Sequence, residues 1–118
     1  MDIQFSLDGM IFEYDEDKNR HNIIKHGISF EIAARVFLDY DRIEMYDDEH
    51  SMGENRYDTI GDISVSQRDY LLGSIGKRDD ILFVVYAERE EREDMIITRL
   101  ISARKANSFE RGLYYGKY

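Results

Sequence analysis

The sequence predicts an α+β fold: a small antiparallel β-sheet with two N-terminal helices and a short C-terminal helix. Three observations carry this. Helical spacing dominates residues 15–37, continuous apolar runs at 81–87 and 95–103 read as strands, and a capping residue at 107 or 108 opens a last amphipathic segment.

Gln4 to Tyr14 sets Phe5, Leu7, Met10, Ile11 and Phe12 around Asp8-Gly9, a turn signal, and reads as a short hairpin or strand. Asp15 then serves as an N-cap, with Glu16 and Asp17 near the positive end of the helix that follows. That helix runs to Lys25-His26 and stops at Gly27. Ser29 caps a second helix, whose apolar Phe30, Ala33, Ala34 and Phe37 fall at i, i+3, i+4 and i+7 and define one buried face.

Beyond Asp39 the pattern becomes strand-like. Arg42–Tyr46 is the first strand, and either Tyr57–Ile60 or Tyr70–Ile75 the next. Ile81–Ala87 is too continuously apolar for a strand with one wet face. In Met95–Ala103, strict alternation puts Ile97, Arg99, Ile101 and Ala103 on one face and Ile96, Thr98, Leu100 and Ser102 on the other. The charged Glu88–Asp94 reads as the turn between these two strands, and Phe109–Tyr115 as the final helix. All helices are expected on one face of the sheet.

A chain of 118 residues fits one domain, and 42% apolar with 13% aromatic residues is enough for a core. With no cysteine, disulfides and thiolate–metal sites are excluded. No apolar run approaches the ~20 residues of a membrane span, and no basic-then-apolar leader opens the chain. The expectation is a soluble, cytoplasmic protein with no membrane contact and no cofactor. The net charge of −9 is unevenly spread. Residues 2–17 hold six acids and no base, whereas residues 99–118 hold Arg99, Arg104, Lys105, Arg111 and Lys117 against Glu110 alone. An anion belongs in the C-terminal fifth.

Three constellations carry chemistry. In Leu100–Ala106 an apolar strand switches to Arg104-Lys105 at the sheet rim, a planar fork and a point charge suited to phosphate; the plain structural alternative pairs Arg104 with Glu110. The segment 48–57 gathers His50, Glu54, Arg56 and Tyr57. Metal-free RNA cleavage needs a base, a charge clamp and an acid. His50 or Glu54 is the candidate base and Arg56 with Arg104 the clamp, against an ordinary Glu54–Arg56 ion pair. A metal reading of Asp47, Asp48, Glu49 and His50 matches no standard ligand spacing. Third, Lys18, His21, Asn22 and Lys25 share a helix stripe able to follow a phosphate backbone.

Taken in order, these blocks resemble the BrnT family of bacterial toxins. The residues concerned are Phe12–Asp15 with Lys18 and Asn22, Lys25–Phe30 with Ala33, Val36 and Phe37, and then His50, Glu54 and Arg56. Val84–Tyr86 with Arg89 follows, and finally Arg99–Ala106 with Glu110, Arg111 and Tyr114. The resemblance implies a RelE-like fold and a ribonuclease that arrests translation. It also implies a ribbon-helix-helix antitoxin that neutralises the toxin and carries the complex onto promoter DNA. It favours His50, Glu54, Arg56 and Arg104 as catalytic residues, with Lys105, Arg99, Lys18 and Lys25 on the RNA phosphates and no metal. The chain departs from the family pattern at Tyr14, where tryptophan is usual, in a longer 57–81 segment, and in a longer, more charged 88–94 turn. Either Tyr57–Gly61 or Tyr70–Gly76 is the family's strand and the other an insertion. The rival class is a non-catalytic co-repressor acting with a DNA-binding partner.

Overall fold

A computed structural model describes residues 1–64, 80–92 and 94–116. The elements are β1 (Asp2–Leu7), β2 (Met10–Asp15), α1 (Glu16–His26), α2 (Phe30–Ala33), a 3-10 turn (Ala34–Leu38), β3 (Ile43–Tyr46), β4 (Asn55–Asp62), β5 (Ile81–Arg92), β6 (Met95–Lys105) and α3 (Ser108–Tyr114). The strands form one sheet in the order β1-β2-β6-β5-β4-β3. The α+β class stands, but the sheet is larger than expected, with six strands, and it is not purely antiparallel: β2 runs parallel to β6 over Ile11–Glu13.

The local signals act as read. Asp15 accepts the Lys18 N–H at 3.0 Å and starts α1. Gly27 ends it in the left-handed region at φ +71, a conformation costly for any residue with a Cβ. Ser29 caps α2, which tightens after one turn into the 3-10 segment, while Phe30, Ala33, Ala34 and Phe37 all remain buried. That segment lies directly on β4: a Cβ on Gly61 would sit 2.9 Å from the Val36 Cβ. Asn107 closes a capping box with Glu110 at the start of α3.

Four expectations fail for physical reasons. Glu88–Arg92 is not a turn; it continues β5, pairing with Met95–Thr98. Exposed charges tolerate a strand that overruns the core, and pairing satisfies backbone groups on both sides. The strict alternation in β6 also breaks. Register passes from Val85↔Ser102 to Tyr86↔Leu100, leaving Ile101 as a bulge, so Leu100 and Ala103 enter the same core cluster. Asn22 does not share an outward stripe with Lys18, His21 and Lys25; it is buried while they are exposed. Finally, the helices do not share one face. α1, α2 and the 3-10 turn cover Phe12, Leu82, Val84, Tyr86, Leu100 and Ala103, whereas α3 packs on the opposite side over Ile60, Ile81 and Phe83. The candidate strand Tyr70–Ile75 lies outside the described residues.

Asn22 explains how the sheet accepts helices beside β6. β2 pairs β6 only as far as Arg99, so the later N–H and C=O groups on that side need other partners. The Asn22 amide donates to the carbonyls of Ala103 (2.8 Å) and Ile28 (2.9 Å) and accepts the Ala103 N–H (3.1 Å). One side chain stands in for a strand. On the other side of the sheet, buried Asp39 accepts the Tyr114 hydroxyl at 2.5 Å and the Asp62 N–H at 2.9 Å, tying α3 to β4.

Candidate functional site

Pleat and register decide which side chains meet. On the α3 side, β4 presents Arg56, Asp58 and Ile60, β5 presents Phe83, Val85, Ala87 and Arg89, and β6 presents Arg99, Ser102 and Arg104. The row Gln4–Glu13–Arg99–Ala87–Arg56 crosses five strands. Arg104 lies in another row, beside Phe83 and Ile60, four residues farther along β5. Arg56 is therefore aligned with Arg99 rather than Arg104, and Asp58 stands between their rows.

Arg104 is engaged from below and above. Its guanidinium stacks on Phe83, 4.3 Å from the ring centroid, and forms a bidentate pair with Glu110 at 2.7 and 2.8 Å. Burial raises the Glu110 pKa, but the Arg104 hydrogen bonds and the Asn107 N–H outweigh it and hold the carboxyl below its ordinary range. Arg56 donates through Nε to Glu54 at 3.1 Å. Both structural pairings foreseen from the sequence thus exist, and each leaves its arginine partly exposed.

His50 projects from the loop before β4, its Nδ1 2.9 Å from Asp47, which also accepts the His50 N–H. The carboxylate orients the ring and leaves Nε2 directed away, the arrangement a proton-transferring imidazole needs. Ser51 pins this loop to β4 by accepting the Arg56 N–H at 3.0 Å. Asp58 sits at the centre. Burial raises its pKa, reinforced by Asp47 and Glu110 and opposed by His50 and Arg104, which places its carboxyl within electrostatic reach of both groups.

The other predicted residues scatter. Lys105 neighbours Arg104 on a strand and so points to the opposite side, where it lines a groove with Ile23, Gly27, Ile28, Ile32 and Ile63. Lys18 and Lys25 are exposed on α1, also on that opposite side. Arg99 is on the α3 side, paired with Glu13 at 2.8 Å and Asp2 at 3.2 Å. Among the described residues no group of three or more His, Asp or Glu side chains is placed to hold a metal ion.

Sequence reasoning missed Asp47, Asp58, Glu13 and Arg89 as members of this face. Asp58 was legible, since it lies two residues from Arg56 on one strand and so shares its face. Arg89 was hidden by the turn assigned to 88–94, and Glu13 by a partner 76 residues away.

No individual curated protein matches the chain. The family model described as "Ribonuclease toxin, BrnT, of type II toxin-antitoxin system" matches residues 14–110, which include the His50–Arg56 loop, Asp58, Arg89, Arg99 and Arg104. Across that span the chain belongs to the BrnT family, the ribonuclease toxins of type II toxin–antitoxin systems.

Proposed function

We propose that this chain cleaves RNA without a metal ion on the α3 side of its sheet. The observation that carries the reading is that Arg56, Asp58 and Arg104 share one side of the sheet, with the Asp47–His50 pair in the loop that leads into β4. His50 or Glu54 takes the proton of a ribose 2′-hydroxyl, whose oxygen attacks the adjacent phosphorus. The bond to the 5′-oxygen breaks, that oxygen gains a proton, and a 2′,3′-cyclic phosphate remains. Arg104 stabilises the charge that builds on the scissile phosphate, Arg56, in the row of Arg99 and four residues along β4, holds a neighbouring phosphate, and Asp58, between the two rows on the same side, relays the proton to the 5′-oxygen. Arg99 adds positive field on this face, while Lys105, Lys18 and Lys25 are left to longer-range attraction from the other side.

The reading extends to a cytoplasmic toxin of RelE-like fold that arrests translation. A ribbon-helix-helix antitoxin neutralises it, and promoter DNA is bound only through that antitoxin. Induced expression with and without the antitoxin, scored for growth and RNA integrity, tests it. Arg56→Ala and Arg104→Ala should abolish growth arrest while the protein folds and binds antitoxin, and EDTA should leave cleavage unchanged. If both variants stay fully toxic, the assigned site is wrong. The net charge of −9 favours a second reading, a non-catalytic co-repressor. Wild-type protein that cuts no RNA yet tightens its partner's promoter binding would support that one instead.

A further inference from the structure

A pair of arginines lies on the α3 side of the sheet, at the far end from Arg104. Glu13 is almost fully buried, its side chain 3% exposed, while its partners Arg89 and Arg99 are 44% and 26% exposed. The acid lies beneath and the bases above it, so the surface shows two guanidiniums flanked by the exposed Asp2 and Glu91. Both guanidiniums converge on one oxygen: Arg89 Nη1 and Arg99 Nη1 donate to Glu13 Oε2 at 2.5 and 2.8 Å. Arg89 Nη2 and the Gln4 amide use the other oxygen. One carboxylate neutralises one of the two cations. Among the described residues, the other acids paired with them, Asp2 at 3.2 Å from Arg99 and Glu91 at 3.8 Å from Arg89, are themselves about half exposed. Pairs with such exposed acids are worth roughly 0–1 kcal/mol.

A buried carboxylate holding two guanidiniums side by side is a costly way to stabilise a sheet, because an apolar residue in that place is often as good. It does hold two guanidiniums side by side, each with N–H groups beyond those its carboxylates use that a phosphate can take. Arg99 also shares its row with Arg56, with only Ala87 between them. Two strand spacings separate these backbones, roughly 10 Å. Arg104 lies four residues away along β5, roughly 13 Å at the rise of a strand. One phosphate does not bridge that distance, so a strand touching both groups runs over the face.

Resting on the reading that this face binds RNA, we propose that Arg89 and Arg99, held by Glu13, form a second phosphate subsite gripping the backbone of single-stranded RNA that extends from Arg104. The test uses the full chain and a short single-stranded RNA made non-cleavable by 2′-O-methylation, with binding followed by fluorescence anisotropy from 50 to 300 mM salt. Arg89→Ala should weaken binding about tenfold at the lowest salt and reduce the log–log salt slope by about 0.7, one single-strand phosphate contact. With cleavable RNA, KM should rise by a similar factor while kcat changes less than about threefold, and Arg89→Lys should recover most of the affinity. Should Arg89→Ala fold poorly, Arg89→Gln keeps a donor for Glu13 and removes the charge, and the same loss is expected. Unchanged affinity and salt slope with a lowered Tm would make the cluster a structural ion pair and overturn the proposal. So would variants that bind RNA normally but lose the antitoxin. Wild-type protein that binds RNA with this arginine dependence yet cuts none would instead overturn the cleavage reading and leave the subsite standing.

Discussion

Truncating Arg104 separates what its ion pair does for the fold from the part proposed for its charge in RNA cleavage. Arg104→Ala removes two charge-assisted hydrogen bonds, at 2.7 and 2.8 Å, and a cation stacked on Phe83. It strands Glu110, whose side chain is only 11% exposed, although the Asn107 N–H at 2.9 Å still reaches it. Breaking a fully buried pair costs about 3–5 kcal/mol. Arg104 is 38% exposed and Glu110 keeps its cap bond, so about half of that applies, roughly 2 kcal/mol. The lost stacking adds about 0.5 kcal/mol. For a chain of this size the sum lowers Tm by roughly 10 °C. Glu110→Gln keeps an acceptor for Asn107 and a neutral bond to Arg104, and should cost about 1 kcal/mol. Urea denaturation of both variants and the Arg104→Ala/Glu110→Ala double variant should give a coupling energy of about 1–2 kcal/mol. RNA cleavage at 20 °C, where each variant is folded, should vanish for Arg104→Ala and persist for Glu110→Gln, whose guanidinium still rests on Phe83. A coupling energy under about 0.5 kcal/mol, or cleavage lost equally in both, would refute the separation of roles.

Asn22→Leu keeps the bulk but orphans the Ala103 N–H and the carbonyls of Ala103 and Ile28; urea denaturation should register a loss of about 3–4 kcal/mol. A loss below about 1 kcal/mol would mean that α1 does not stand in for a strand at this edge. The carboxylates predict opposite pH effects. Burial pushes Glu13 up, but hydrogen bonds from Arg89 and Arg99 outweigh it and hold it below the ordinary 4.5. The folded state therefore binds fewer protons there, and this stability is present above pH 4.5 and lost as the pH falls through the lowered value. Glu13→Gln should flatten that acid limb in a Tm-against-pH series. Asp58 is raised above 3.8 by burial, so ionising it penalises the fold as pH rises through its folded value, and Asp58→Asn should be more stable than wild type at pH 7.

Much of the fold is readable in the chain because its signals are local. Asp15, Gly27, Ser29 and Asn107 act on backbone groups within four residues of themselves, and Asp8-Gly9 turns one hairpin. Such groups must be satisfied wherever the segment ends up, so helix starts, stops and strand-forming runs follow from sequence. That Arg104 and Lys105 diverge was also written in the period of two. What tertiary structure decided was partnership. The Ile101 bulge exists only because β5 and β6 pair in one register, and it moves Leu100 and Ala103 to the same side. Residues 88–92 are strand rather than turn because Met95–Thr98 needed partners. Glu13 meets Arg89 and Arg99 across 76 and 86 residues through the strand order alone. Composition names the charges a chain carries; only the register of the sheet decides which acid lies beneath which base, and so which cations the surface presents.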